Sequence, residues 1–159
     1  MIIFLEEHKQ ILRKLIDSNV DFILVGGYAV NYHGYNRPTG DMDILLRPDN
    51  ENKKKLLSML SNEGFTEKSL KNVADLDFTK PAVFHIGSPP KRIDFLTRIS
   101  RINFDEAWDA KQILPMENYK IGVIHLHHLI LTKMGTGRDR DKGDVTELQK
   151  IEELKKNSK

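Results

Sequence analysis

Residues 21–46 read DFILVGGYAVNYHGYNRPTGDMDILL, and this stretch constrains the fold more than any other. Phe22, Ile23, Leu24 and Val25 form a short apolar run closed by Gly26 and Gly27. A run of that length bounded by glycines reads as a buried strand. YAVNYHG suits a short helix stopped at Gly34. NRPTG holds two breakers, Pro38 and Gly40, and reads as a loop. DMDILLRP then returns as a second strand.

The rest of the chain continues the alternation. Residues 3–17 carry Ile3, Phe4, Ile11, Leu12, Leu15 and Ile16 at helical spacing, with Asn19 as the stop. NENKKKLLSMLSNEGF is a polar-started amphipathic helix with Leu56, Leu57, Met59 and Leu60 as its stripe. FTEKSLKNVADLDFTK fits no single pattern. PAVFHI and KRIDFLTRI read as strands joined at GSPP. FDEAWDA suits one or two helical turns, and KQILPMENYKIGVIH a further hairpin. LHHLILTKMG and DKGDVTELQKIEELKK close the chain as helices around TGRDR, with 153–159 expected to fray. The order predicts an α/β (α+β) mixed sheet packed with helices, in one domain spanning 1–159.

Length and composition exclude several alternatives. A chain of 159 residues with 39% apolar content suits one core. A net charge of +2 does not point to nucleic acid by bulk electrostatics. There is no cysteine, which removes thiolate metal sites and a cysteine nucleophile and suits a reducing cytoplasm. MIIFLEEHKQ meets Glu6 and Glu7 too soon to be a signal peptide, and no stretch has the length of a membrane span.

The chemistry lies in the acids. Asp41 and Asp43 stand one residue apart beside Ile44, Leu45 and Leu46, where uncompensated charge is costly. On a strand they share a face, about 7 Å apart, and can ligate a hard cation such as magnesium. Asp94 likewise interrupts Ile93, Phe95 and Leu96. It pairs with Lys91, Arg92 or Arg98, or it joins Asp41 and Asp43 as a third acid. Three such acids repel one another without a cation. Gly26 and Gly27 make a tight turn, or let backbone N–H groups approach a phosphate. Lys133, Arg138, Arg140, Asp141 and Asp144 read as a salt-bridged helix start, or as a cationic clamp on a triphosphate. His125, His127 and His128 near a helix start read as structural.

LVGGYAVNYHGYNRPTGDMDILL, KRIDFL and LTKMGTGRDRDKGDVTEL together resemble the nucleotidyltransferases. The closer resemblance is to minimal bacterial members related to toxin components of abortive-infection and toxin–antitoxin systems. It spans about Asp21 to Leu148. It implies that Asp41 and Asp43 bind Mg2+ or Mn2+, and that Asp94 ligates metal or activates the acceptor hydroxyl. Gly26 and Gly27 would frame the phosphate-facing turn, with Arg37 and Thr39 supporting the loop. Lys133 would contact the triphosphate, with Arg140 in the same basic stretch and Asp144 orienting it. Relatives often carry Gly-Ser where this chain has Gly-Gly. The serine hydroxyl is therefore missing, or is replaced by backbone N–H or by Tyr28.

The resulting expectation is a cytoplasmic, metal-dependent enzyme that moves an NMP from an NTP to a hydroxyl acceptor and releases pyrophosphate. The acceptor is left open among tRNA or other RNA, a protein and a small molecule, and a cognate antitoxin is an expected partner. The rival expectations are a non-catalytic nucleotide- or partner-binding regulator and a plain RNA-binding domain.

Overall fold

The fold is built around the two runs that bound the first strand–helix–strand unit. A computed structural model describes residues 2–158. Phe22–Val25 form β1, every residue buried, and Met42–Leu46 form β2 antiparallel to it, with Val25 opposite Asp43. Between them Gly26–Tyr32 form α2. That helix begins on the glycines themselves, directly at the end of the strand.

Among the described residues, seven helices pack on a six-stranded mixed sheet. The remaining strands are β3 (Val83–Ile86), β4 (Ile93–Leu96), β5 (Gln112–Met116) and β6 (Tyr119–Val123), in the order β3-β4-β2-β1-β6-β5. β4 runs parallel to β2 and β6 parallel to β1, while the β3–β4 and β5–β6 pairs are antiparallel. Both expected hairpins form. The central strands are buried on both faces, which explains their unbroken apolar runs.

The helices are α1 (Glu6–Asp17), α3 (Asn50–Asn62), α4 (Glu67–Ala74), α5 (Phe104–Ala110), α6 (Leu126–Lys133) and α7 (Asp139–Asn157). α1 starts three residues later than its spacing suggests, and Ile3 is exposed. Asn19 does end it, in the left-handed conformation at φ 57° that asparagine tolerates. The unassigned stretch after Phe65 contains α4. Thr66 caps it by accepting from the Ser69 N–H, and Leu70 and Val73 reach the core. The chain end departs from expectation. α7 continues through 153 to Asn157, with Lys155 and Lys156 complementing the negative end of the helix dipole.

No helix among the described residues is long and apolar enough to cross a membrane. The site elements converge at one end of β1, β2 and β4, where α2, α6 and the start of α7 close over the sheet.

Candidate active site

Register decides which acids meet. β2 and β4 pair in parallel with Asp43 beside Asp94, so the two side chains share a face on adjacent strands. Asp41 lies one residue before β2 and lines the same cavity, of about 700 Å3. Burial pushes the Asp43 carboxyl up to about 6, and the neighbouring charges of Asp94 and then Asp41 push the same way. The charge concentration expected from sequence is therefore present.

It is partly neutralised from within. Arg92 Nε donates to Asp94 Oδ1 at 2.7 Å and lies 3.6 Å from Asp41 Oδ2. Asp94 is thus paired with Arg92 and also stands beside Asp43. Among the described residues, no three histidine or acidic side chains are gathered into a ready metal-ligand set. The donor chemistry nevertheless fits a hard divalent cation. On the sheet side the cavity wall offers the carboxylates of Asp41, Asp43 and Asp94, and among the described residues Asp43 has no cationic partner within ion-pair distance.

The glycines serve close approach. Gly26 has φ +67°, and a Cβ there would run into the Asp43 carboxylate. A Cβ on Gly27 would overlap the Thr39 hydroxyl. The Thr39 Oγ therefore fills the space that a side chain at position 27 would take, and both residues line the cavity. Tyr28, the sequence candidate for a replacement hydroxyl, is instead buried, with its OH 2.7 Å from His8 Nδ1. Successive helical residues point in different directions, and Tyr28 points into the core.

The opposite wall is cationic and tightly braced. Lys133, at the end of α6, has its Nζ 3.0 Å from Asp144 Oδ2 and 3.3 Å from Asp141 Oδ1. Arg37 grips Asp144 with two nitrogens, at 2.6 and 2.7 Å. Burial works to raise the Asp144 pKa, but hydrogen bonds from Arg37 and Lys133 win and hold it below the ordinary carboxylate range. Asp144 is 1% exposed and does not line the cavity, so it positions these two cations and reaches a substrate only through them. Arg140 donates to the Pro38 carbonyl at 3.2 Å and lines the cavity with Lys133 and Arg138.

Two residues carry more than the sequence suggests. Asp141, read as a first-turn acid, also accepts from Thr136 at 2.8 Å and pairs with Arg138 at 3.1 Å. Arg98 lines the cavity beyond Asp94 and was legible only as a partner for it. His125 caps α6 by accepting from the His127 N–H, and His127 lies 3.0 Å from Glu152.

Comparison with known proteins bears on the family and the fold. The family model described as aminoglycoside-2''-adenylyltransferase matches residues 8–148. Among solved structures, the lincosamide antibiotic adenylyltransferase LnuA, crystallised with lincomycin, matches with a TM-score of 0.56. Its sequence is 19% identical, and the match covers 95% of this chain and 99% of that one. An antigenic nucleotidyltransferase-like protein from Paracoccidioides brasiliensis matches with a TM-score of 0.53 at 14% identity, over 94% and 77% of the two chains. At such identities the two structures speak for the fold alone. No curated protein matches the chain.

Proposed function

Because the chain belongs to the aminoglycoside-2''-adenylyltransferase family and is thus a nucleotidyltransferase, we propose that it carries a nucleoside monophosphate from an NTP to a hydroxyl of a small molecule. The observation that carries this reading is the in-register Asp43–Asp94 pair facing Lys133 across one cavity. The family match weighs toward a small-molecule acceptor over the RNA, protein or antitoxin partners that the sequence resemblance also implies.

Each wall has its part. Lys133, Arg138 and Arg140 meet the triphosphate, with Asp144 and Asp141 keeping Lys133 extended toward it. Gly27 and Thr39 present a smooth surface and one hydroxyl to the phosphates. Asp41 and Asp43, with Asp94 beside them, would hold Mg2+ or Mn2+. Such a cation, when bound, neutralises charge developing on the attacking and leaving oxygens. Asp94 Oδ1 is taken by Arg92, which leaves Oδ2 to accept the acceptor's proton. The acceptor oxygen then bonds to the α-phosphorus, the α–β bridging bond breaks, and pyrophosphate departs toward the cationic wall.

Incubation with each of the four α-labelled NTPs, magnesium and a panel of hydroxylated acceptors tests this. Wild-type protein transfers label and releases pyrophosphate, whereas Asp41→Ala and Asp43→Ala each abolish transfer while folding normally. Transfer at the wild-type rate by the double variant would remove the metal assignment.

A further inference from the structure

We propose that Arg92 is the positioning residue that divides the three acids of the site into two cation ligands, Asp41 and Asp43, and one base, Asp94. It does so by holding Asp94 and by competing with the divalent cation for Asp41. This rests on the transferase reading above and assigns the residue that sorts the roles within that same site.

The arrangement follows from register. β2 and β4 pair in parallel, with Met42 beside Ile93 and Asp43 beside Asp94. One step back, the Met42 N–H donates to the Arg92 carbonyl at 3.1 Å, which brings Arg92 beside Asp41. Side chains two apart on a strand share a face, so Arg92 and Asp94 stand with Asp41 and Asp43 on one side of the sheet. The neighbouring cation, Lys91, is committed elsewhere, to Glu7 of α1 at 3.0 Å.

The two contacts of Arg92 are unequal. Its Nε donates to Asp94 Oδ1 at 2.7 Å but lies 3.6 Å from Asp41 Oδ2. The first is a charge-assisted hydrogen bond, and the second is an ion pair without one. A cation can therefore replace Arg92 at Asp41 while the Asp94 bond persists. That bond keeps Asp94 from turning toward the metal and leaves its Oδ2 for the acceptor's proton.

Charge balance gives the competition its consequence. Asp141 is paired with Lys133 and Arg138, and Asp144 with Arg37 and Lys133. Among the described residues, Asp43 is the acid of this site left without a cationic partner. A hard divalent cation takes several oxygen ligands, and one carboxylate holds it weakly. To gain Asp41 it must approach Arg92, and the two positive charges repel. A triphosphate supplies both the missing oxygens and the compensating charge. Cation and nucleotide binding are thus coupled, and Arg92 sets the size of the coupling.

The test compares wild type with Arg92→Gln and Arg92→Lys, each checked for folding by thermal unfolding. Binding of Mn2+ without nucleotide is read from the electron paramagnetic resonance of the unbound ion. Arg92→Gln removes a unit charge beside the ion and should bind Mn2+ roughly 10- to 100-fold more tightly than wild type. Arg92→Lys keeps the charge and should stay within about threefold. Transfer, measured at saturating Mn2+ and NTP with whichever acceptor of the panel above serves the wild type, should move the other way. Arg92→Gln should be slower by roughly tenfold or more, part of what a positioned general base supplies, and Lys should restore some of that rate. A residue that only supported the fold would weaken metal binding and transfer together. Mn2+ affinity unchanged or reduced in Arg92→Gln, or transfer as fast as wild type, would overturn the proposal. A wild type that transfers label to no acceptor would strike the transferase reading, while the Mn2+ titrations still decide the competition for Asp41.

Discussion

Asp43 and Asp94 stand side by side on parallel strands, and Arg92 bonds to only one of them. Asp43 is left with burial and two neighbouring negative charges, which raise its carboxyl from 3.8 to about 6. A raised carboxylate favours the fold below its unfolded pKa and loses that advantage as pH climbs through its folded pKa. The wild-type protein therefore carries a penalty above pH 6 that Asn at 43 would not. Without divalent cation at pH 7, Asp43→Asn should be more stable by about 1–3 kcal/mol. Magnesium should raise the melting temperature of the wild type and not that of the variant. Thermal unfolding of both, with and without magnesium, checks it.

Thr39 fills the space beside Gly27. Thr39→Val keeps the shape and removes the hydroxyl, and should raise the KM for NTP about tenfold or more. Thr39→Ser should stay near wild type. Gly27→Ser alone collides with Thr39, so the pair Gly27→Ser with Thr39→Gly should outperform Gly27→Ser by itself. A double variant no better than that single one would show that the hydroxyl's position does not matter.

Asp144 is a buried anion shared by Arg37 and Lys133. Removing one partner of such a cluster leaves cations uncompensated. Asp144→Ala should cost about 3–5 kcal/mol and loosen nucleotide binding as Lys133 shifts toward Asp141. Urea unfolding reads the first effect and calorimetry the second. A loss below about 1 kcal/mol would remove the bracing role.

His33 reports on the same end of the sheet. Its Nε2–H donates to the Ile124 carbonyl at 2.7 Å, and its buried Nδ1 has no partner among the described residues. Protonating that nitrogen would bury an unpaired N–H. Burial accordingly pulls the pKa from 6.5 to about 4, against the opposing effect of the Ile124 bond. Stability should be complete above pH 6.5 and fall as pH drops through 4, by up to about 3 kcal/mol in all. Unfolding free energies from pH 7 to 4 should show a shallower decline for His33→Gln.

The strands and most helices were legible because their signals are local: short apolar runs, glycines and helical stripes. So was the Asp41–Asp43 pair. Asp94 could be suspected from Ile93 and Phe95 around it. Its partner strand could not be read, because β4 reaches β2 only after α3, α4 and β3 intervene. The same holds for Arg37 and Asp144, which meet across most of the chain. Tyr28 misled because it follows the glycines directly, while Thr39 arrives from a loop whose course only the fold determines. α4 stayed hidden because its apolar residues are too few to set a period, leaving the Thr66 cap as its clearest mark.

The central claim is that Asp41 and Asp43, with Asp94 beside them as the base, hold a divalent cation against the α-phosphate of an NTP. A crystal structure with magnesium and a non-hydrolysable NTP tests it most directly. The account predicts metal coordinated by the Asp41 and Asp43 carboxylates and by phosphate oxygens, Lys133 on the triphosphate, and Arg92 withdrawn from Asp41. Nucleotide bound elsewhere, with Arg92 still spanning Asp41 and Asp94 and no metal between them, would contradict it.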